Sequence, residues 1–180
     1  PIPIKGFKTY GGSWTVTATG QLTGSAGDGP KLESQLPAFT DGEVSVDLFF
    51  ADGQAGNAGL IVRLARAGTG ADNFDGYEVA LDPGRQVLCL GRHRHDFQHI
   101  RDVPCEVAVG AWIKLTAKLA GATLEVLVND RSVTRHDDTA AALLSGTVGL
   151  RQWRREARYR NLRVKTGGQE QTLAFEQDVA

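Results

Sequence analysis

The chain has 180 residues, 20 basic and 21 acidic side chains, a formal net charge of −1, 22 glycines and no methionine. That balance gives no electrostatic case for nucleic acid or for an acidic membrane surface. The length suits one domain with a sizeable core, and no apolar run approaches a membrane span.

A single domain is expected over residues 1–180, with a core of about 7–166 and a C-terminal tail over 167–180. The start at Pro1 with no initiator methionine is expected of a mature or excised segment. No signal peptide stands in it, and the expected location is secreted, periplasmic or cell-surface.

Residues 1–6 read as an extended edge segment. Short strands follow at Trp14–Ala18, Gly20–Gly24 and Lys31–Ser34, with Gly27-Asp-Gly-Pro as a turn. Glu43 to Phe50 alternates cleanly, with Val44, Val46 and Leu48 on one face. Asn57 to Leu64 alternates as well, and so does Tyr77 to Asp82. Asp82-Pro-Gly-Arg is a hairpin signal leading into Gln86–His93. Two long alternating strands, Trp112–Leu119 and Thr123–Asn129, flank Ala120-Gly-Ala, and Asn129-Asp-Arg turns the chain again. Only Thr139–Leu144 has the composition of a helical turn, and Gly146–Arg151 and Ala157–Val164 close the pattern. About a dozen short strands with turn signals and almost no helix predict an all-β, two-sheet antiparallel sandwich.

Three groups of residues have the chemistry of a binding surface. Strict alternation places Arg63 and Glu78 side by side on neighbouring strands. They either form an ion pair on a solvated face, worth under about 1 kcal/mol, or grip vicinal hydroxyls. Arg151 and Trp153 share parity opposite Val148 and Leu150, so an indole face and a guanidinium project together, unless Trp153 packs under a loop. The segment Arg92-His-Arg-His-Asp-Phe-Gln-His puts His93 and His95 on one face. Asp96 or His99 would complete a metal set there, but Arg92 and Arg94 oppose a cation, which favours a polar hairpin. The arginines over residues 154–163 read as a solvated strand face.

Cys89 and Cys105 lie eight residues either side of Phe97. A hairpin turning at Phe97 would oppose them for a disulfide; otherwise they are two separate thiols.

Five features occur in order: Trp14, Asn57-Ala-Gly-Leu-Ile-Val-Arg, Gly76-Tyr-Glu-Val, Gly110-Ala-Trp-Ile-Lys-Leu-Thr with Leu124–Asp130, and Gly146-Thr-Val-Gly-Leu-Arg with Tyr159–Val164. Over Trp14 to Val164 the chain resembles the concanavalin A-like jelly-roll superfamily. Within it, the chain resembles carbohydrate-binding module family 66 and the 3-keto-disaccharide hydrolase domain family. The resemblance implies a concave and a convex sheet, with a carbohydrate ligand on the concave face. Asn57 matches the shared Asn-Ser/Ala-Gly, Glu78 the Gly-Tyr-Glu, and Arg151 with Gln152 the end of the Gly-Leu-Arg/Gln segment. The ligand-binding expectation is therefore Arg63, Glu78, Arg151, Trp153, Asn57, Gln152, Arg92, His93 and His95. The superfamily also implies structural Ca²⁺ on loop aspartates, of which Asp28, Asp41, Asp52, Asp72, Asp75, Asp137 and Asp138 are candidates. No single loop has identifying ligand spacing.

The enzymatic alternative has less to work with. The Glu-x-Asp-x-x-Glu arrangement of superfamily glucanases is missing. Glu43 and Asp47 share a face about 13 Å apart at about 3.3 Å per residue, too far for a retaining pair. Glu78 alone, helped by His93 or His95, would suffice for a 3-keto-sugar hydrolase or lyase, because the keto group acidifies the neighbouring C–H. The expectation is thus non-catalytic carbohydrate recognition, for a fructan-like or other plant or microbial polysaccharide, in a chain fused to a glycan-active catalytic domain. A keto-sugar enzyme and a protein-interaction jelly roll are the alternatives.

Overall fold

The computed structural model describes residues 2–178. Pro1, Val179 and Ala180, which the single-domain expectation includes, lie outside the described residues.

Fifteen strands and no helix make up the described chain. In order they are β1 (Phe7–Tyr10), β2 (Trp14–Val16), β3 (Leu22–Gly24), β4 (Asp28–Ser34) and β5 (Gly42–Phe49). Then come β6 (Asn57–Ala65), β7 (Asp75–Asp82), β8 (Val87–Arg94), β9 (Phe97–Pro104) and β10 (Trp112–Ala120). The last five are β11 (Thr123–Val128), β12 (Arg131–Asp137), β13 (Thr147–Trp153), β14 (Ala157–Thr166) and β15 (Gln169–Leu173). One sheet has seven strands in the order β1-β4-β13-β6-β7-β8-β9. The other has eight, ordered β12-β11-β10-β5-β14-β3-β2 with β15 added beside β14. All named pairs are antiparallel.

The two sheets bury one shared core. Leu60, Val62, Val79, Leu81, Leu88, Leu90 and Leu150 point inward from the seven-stranded sheet. Val44, Val46, Leu48, Leu115, Val126 and Tyr159 meet them from the other. Each fully buried aliphatic side chain contributes about 1.5–3 kcal/mol, so period-2 alternation over β5, β6, β7 and β10 specifies which face turns in.

The structure departs from sequence reading at several points. Phe7–Tyr10 is a strand, although only residues 1–6 were expected to lie extended. Gly27–Pro30 is mostly strand rather than turn: β4 begins at Asp28, and Gly29 takes φ +76° where the β4–β13 register shifts. The C-terminal segment belongs to the sandwich. β15 pairs with β14, Gln177 bridges Ile4, and Phe175 is buried against Phe7 with ring centroids 5.5 Å apart. Residues 139–141 form a turn without becoming a helix.

One irregularity governs the site. β6 carries an extra residue between Val62 and Ala65 relative to both neighbours, and Arg63 has φ +52°. Beyond this bulge the faces exchange. Leu64 joins Ile61 and Phe74 in a small apolar cluster on the outward side, and Arg63 leaves that side. Gly146 passes so close that a Cβ there would come 2.2 Å from the Arg63 carbonyl carbon, so no larger residue fits.

Candidate functional site

The outward face of the seven-stranded sheet is laid out in cross-strand rows. Lys31, Arg151, Gly59, Ala80, Cys89 and Asp102 oppose one another in turn from β4 to β9. The neighbouring row runs Gly149, Ile61, Glu78, Gly91 and His99. Gly59 and Ala80 hold the middle of the first row, Glu78 rises from the middle of the second, and larger polar side chains stand around them. A cavity of about 510 Å³ opens there, lined by Asn57, Glu78, Cys89, Arg151 and Trp153 among others. A larger cavity of about 750 Å³ lies between residues 16–21 and 172–177. Its walls carry no buried ionisable pair among the described residues, so the chemistry is at the smaller one.

The floor of the cavity is a buried ion pair. Arg151 donates through Nη1 to Glu78 Oε1, and both side chains are more than nine-tenths buried. Arg151 Nε donates to the Ala71 carbonyl at 3.2 Å, and Nη2 lies 3.7 Å from Asp72 Oδ1. Burial alone would raise the Glu78 pKa. Arg151, helped by His93, outweighs it and holds the carboxyl below its ordinary value. Lys31, wholly buried beside them, donates to the Gly70 carbonyl at 2.6 Å. Burial first, then the Arg151 charge, brings its pKa down to about 8.

His93 is enclosed next to this pair. It stacks on Phe74 with centroids 4.2 Å apart, and its ring nitrogens lie 3.5 Å from Asp72 Oδ1 and from Glu78 Oε1. That separation is at the outer limit for a hydrogen bond, and both nitrogens lack a partner although wholly buried. Asn57 Oδ1, at the cavity rim, is likewise buried and unpartnered. Trp153, partly exposed, stands over the rim with the Arg154 guanidinium 4.6 Å and that of Arg151 5.6 Å from its ring.

Of the nine predicted binding residues, Asn57, Glu78, His93, Arg151 and Trp153 therefore meet at one place. Four do not. Arg63 is turned away by the bulge; its guanidinium donates to the backbone carbonyls of Thr40, Gly121 and Leu143 and lies 3.5 Å from Asp41. It ties three loops together and never meets Glu78. Gln152 shares inward parity with Leu150, is fully buried, and donates to the carbonyls of Ser25 and Arg155. Arg92 also faces inward, bridging the sheets through Asp138 at 2.7 Å. His95 sits in the β8–β9 turn with φ +60°, its Nδ1 2.7 Å from Asn73 Oδ1.

The turn falls at His95–Asp96 instead of Phe97, so Cys89 opposes Asp102, and Cys105 donates its N–H to the Gln86 carbonyl. Both cysteines are free thiols. Burial, then the charge of Glu78, pushes the Cys89 thiol pKa up. The Glu43 and Asp47 carboxylates lie on the outward face of the other sheet, where Asp47 pairs with Arg160 and Arg163. Six of the seven loop aspartates considered for calcium sit within 4 Å of an arginine: Asp28, Asp41, Asp52, Asp72, Asp75 and Asp138.

Asp72, Arg85, His99 and Asp102 also line the cavity, beyond the nine expected residues. Asp72 reaches it from the loop between β6 and β7, a placement no strand period announces. Asp102 and His99 depend on the exact register of the β8–β9 hairpin.

The strand order of the two antiparallel sheets is that of a concanavalin A-like jelly roll, the fold shared by the solved structures to which the chain is similar. The chain belongs to the 3-keto-alpha-glucoside-1,2-lyase-like domain family, whose profile matches residues 4–165. The fold is similar to that of a carbohydrate-binding module, CBM66 from Bacillus subtilis, with TM-score 0.76 and 20% identity over 92% of this chain and 100% of that one. A second Bacillus subtilis protein, of galectin-like fold, superposes with TM-score 0.72 and 15% identity over 89% of each chain. A Bacillus licheniformis beta-glucanase gives TM-score 0.66 and 10% identity over 90% of this chain and 93% of that one. No curated protein matches the sequence.

Proposed function

We propose that the domain recognises a carbohydrate in the cavity bounded by Arg151, Glu78, Asn57 and Trp153. The observation that carries this reading is the buried Arg151–Glu78 pair on the floor, with the Trp153 ring above it and the unpartnered Asn57 oxygen at the rim. Cations and anions are interleaved around the cavity: Arg85, Arg151 and Arg154 against Asp72, Glu78, Asp82 and Asp102. Such a lining suits a neutral polyol, whose hydroxyls donate to carboxylates and accept from guanidinium, better than a strongly charged ligand. An indole face packs on the apolar side of a sugar ring. The similarity of the fold to a carbohydrate-binding module agrees with this reading, and a fructan is the first candidate. On this reading the domain is extracellular, works beside a polysaccharide-degrading catalytic domain, and takes Ca²⁺ only in a supporting role.

Titration calorimetry against a panel with levan, inulin and short oligosaccharides is expected to give saturable binding. Trp153→Ala should weaken it by roughly tenfold or more, with the melting temperature nearly unchanged because the ring is partly exposed. No binding to any glycan, or wild-type affinity in Trp153→Ala, overturns the proposal. Restoration of EDTA-treated protein by Ca²⁺ alone would establish the calcium role.

A second reading has one specific observation behind it. His93 lies enclosed behind the cavity floor, its imidazole 3.5 Å from Glu78 and Asp72 oxygens, in a chain of the keto-glucoside lyase-like family. Glu78 as base and His93 as the polarising group would suit proton abstraction beside a 3-keto group. Incubation with a 3-keto-disaccharide decides between them: release of a monosaccharide, abolished in Glu78→Gln, favours the enzyme, and binding without turnover favours the module.

A further inference from the structure

Cys89, His99 and Asp102 form a second constellation on the far wall of the same cavity, with Cys89 Sγ 3.8 Å from Glu78 Oε2. The Cys89 sulfur, a ring nitrogen of His99 and a carboxylate oxygen of Asp102 all lie within 4.8 Å of one another. Cys89 and Asp102 are direct partners across the β8–β9 ladder. His99 precedes Asp102 by three residues, an odd spacing that would put it on the opposite face of a regular strand. A bulge removes that obstacle. Leu90 opposes Arg101 but Gly91 opposes His99, so Ile100 is an extra residue in β9. The parity flips once, and His99 comes to the same face as Asp102. Bulges beside functional sites commonly re-aim a side chain in this way.

The surroundings hold the three groups in place. His99 Nε2 lies 3.1 Å from Asp102 Oδ1. The other Asp102 oxygen accepts from Arg85 at 2.5 Å, which orients the carboxylate and leaves Oδ1 turned toward His99. Phe97 lies across Gly91, where a Cβ would come 2.5 Å from its ring. Its centroid is 5.2 Å from that of His93 and 6.0 Å from that of His99, so it divides the two histidines. The histidine metal set that the sequence disfavours does not form, since Phe97 stands between His93 and His99.

We propose that Cys89, His99 and Asp102 bind a divalent transition ion of the zinc class, with a fourth coordination position open to the cavity. Mixed sulfur, nitrogen and oxygen ligands select borderline-soft cations, whereas Ca²⁺ and Mg²⁺ take oxygen. Tetrahedral bonds of about 2.0–2.3 Å set ligand atoms about 3.4 Å apart, so small side-chain rotations close the present spacing. Three protein ligands and an open position are the pattern of a site that presents its ion to a ligand. Cys89 and Asp102 rise from paired strands, so the backbone already holds two of the three ligands in place.

The test uses the whole chain, stripped with chelator and titrated with Co²⁺. One equivalent is expected to produce a thiolate-to-cobalt charge-transfer band that Zn²⁺ then abolishes. Cys89→Ser should remove the band, and His99→Ala and Asp102→Asn should weaken Co²⁺ binding by roughly tenfold or more. Cys105→Ser should leave it unchanged. No band in the wild type, or a band that survives Cys89→Ser, overturns the proposal. His99 is about half exposed, so His99→Ala keeps the fold and still tests the ion if Cys89→Ser is unstable; full Co²⁺ affinity in that variant also refutes the site. The readout needs no sugar, so it stands or falls independently of carbohydrate binding.

Discussion

Arg151→Met is expected to destabilise the domain by roughly 3–5 kcal/mol, because it strands the buried Glu78 carboxylate without its cation. In a chain of this size that lowers the melting temperature by on the order of 10 °C. Glu78→Gln alone should also destabilise, since it leaves a guanidinium buried opposite a neutral amide. The double variant, Glu78→Gln with Arg151→Met, should recover much of the loss. Chemical denaturation of the four proteins closes the cycle; strictly additive losses would show that the two groups do not interact. Acid adds a second handle. Glu78 is held below its ordinary value of 4.5, so its contribution is fully present above that pH and is lost as pH falls through the folded value. Wild-type protein should therefore lose stability on acidification below about pH 4.5 more steeply than Glu78→Gln does. Equal slopes would remove Glu78 from the account. Binding assays on these variants must be read against their melting curves, which is why Trp153 is the better probe of sugar contact.

Arg63→Ala is expected to cost roughly 3 kcal/mol or more, although the residue touches no part of the cavity. Its guanidinium fills acceptors on three separate loops, the Thr40, Gly121 and Leu143 carbonyls, and only 2% of the side chain is exposed. Hydrogen bonds from a charged donor are worth about 1.5–3 kcal/mol each, and removing the side chain also leaves a cavity where a buried guanidinium stood. Arg63→Lys should recover little, because a single ammonium cannot span three acceptors set around a planar fork. Thermal melting checks the loss. Calorimetry at a temperature where the variant is folded should then show undiminished affinity for any ligand of the cavity. Loss of affinity with the melting curve intact would place Arg63 back among the binding residues.

Arg63 also shows how far a strand pattern can be read. Alternation along β6 holds from Ala58 to Val62, and every inward residue in that run is in the core. One extra residue then exchanges the faces, and nothing in Arg-Leu-Ala-Arg announces it. The bulge is decided by how two neighbouring strands and Gly146 fit around Arg63, a long-range fit that local propensity does not encode. Arg92 and Gln152 were misplaced for a related reason. Gln152 takes its binding expectation from the family motif and Arg92 from the polar hairpin; their inward parity is legible beside Leu150 and Leu90, but their buried partners, the Ser25 carbonyl and Asp138, are remote in sequence. Of the two alternatives for Cys89 and Cys105 the structure has the separate thiols, because the turn falls at His95–Asp96 and not at Phe97.

What the sequence determined by itself is the sandwich and the strands that carry Asn57, Glu78, Arg151 and Trp153. Period-2 burial and Gly, Pro and Asp turns are local signals, and a hydrophobic face can satisfy itself in few ways. What only the tertiary structure decided is partnership: that Glu78 pairs with Arg151 rather than Arg63, and that His99 and Asp102 face Cys89. Strand order, bulges and register bring together distant residues, 73 positions apart for Glu78 and Arg151, and those choices are settled by packing of the whole sandwich.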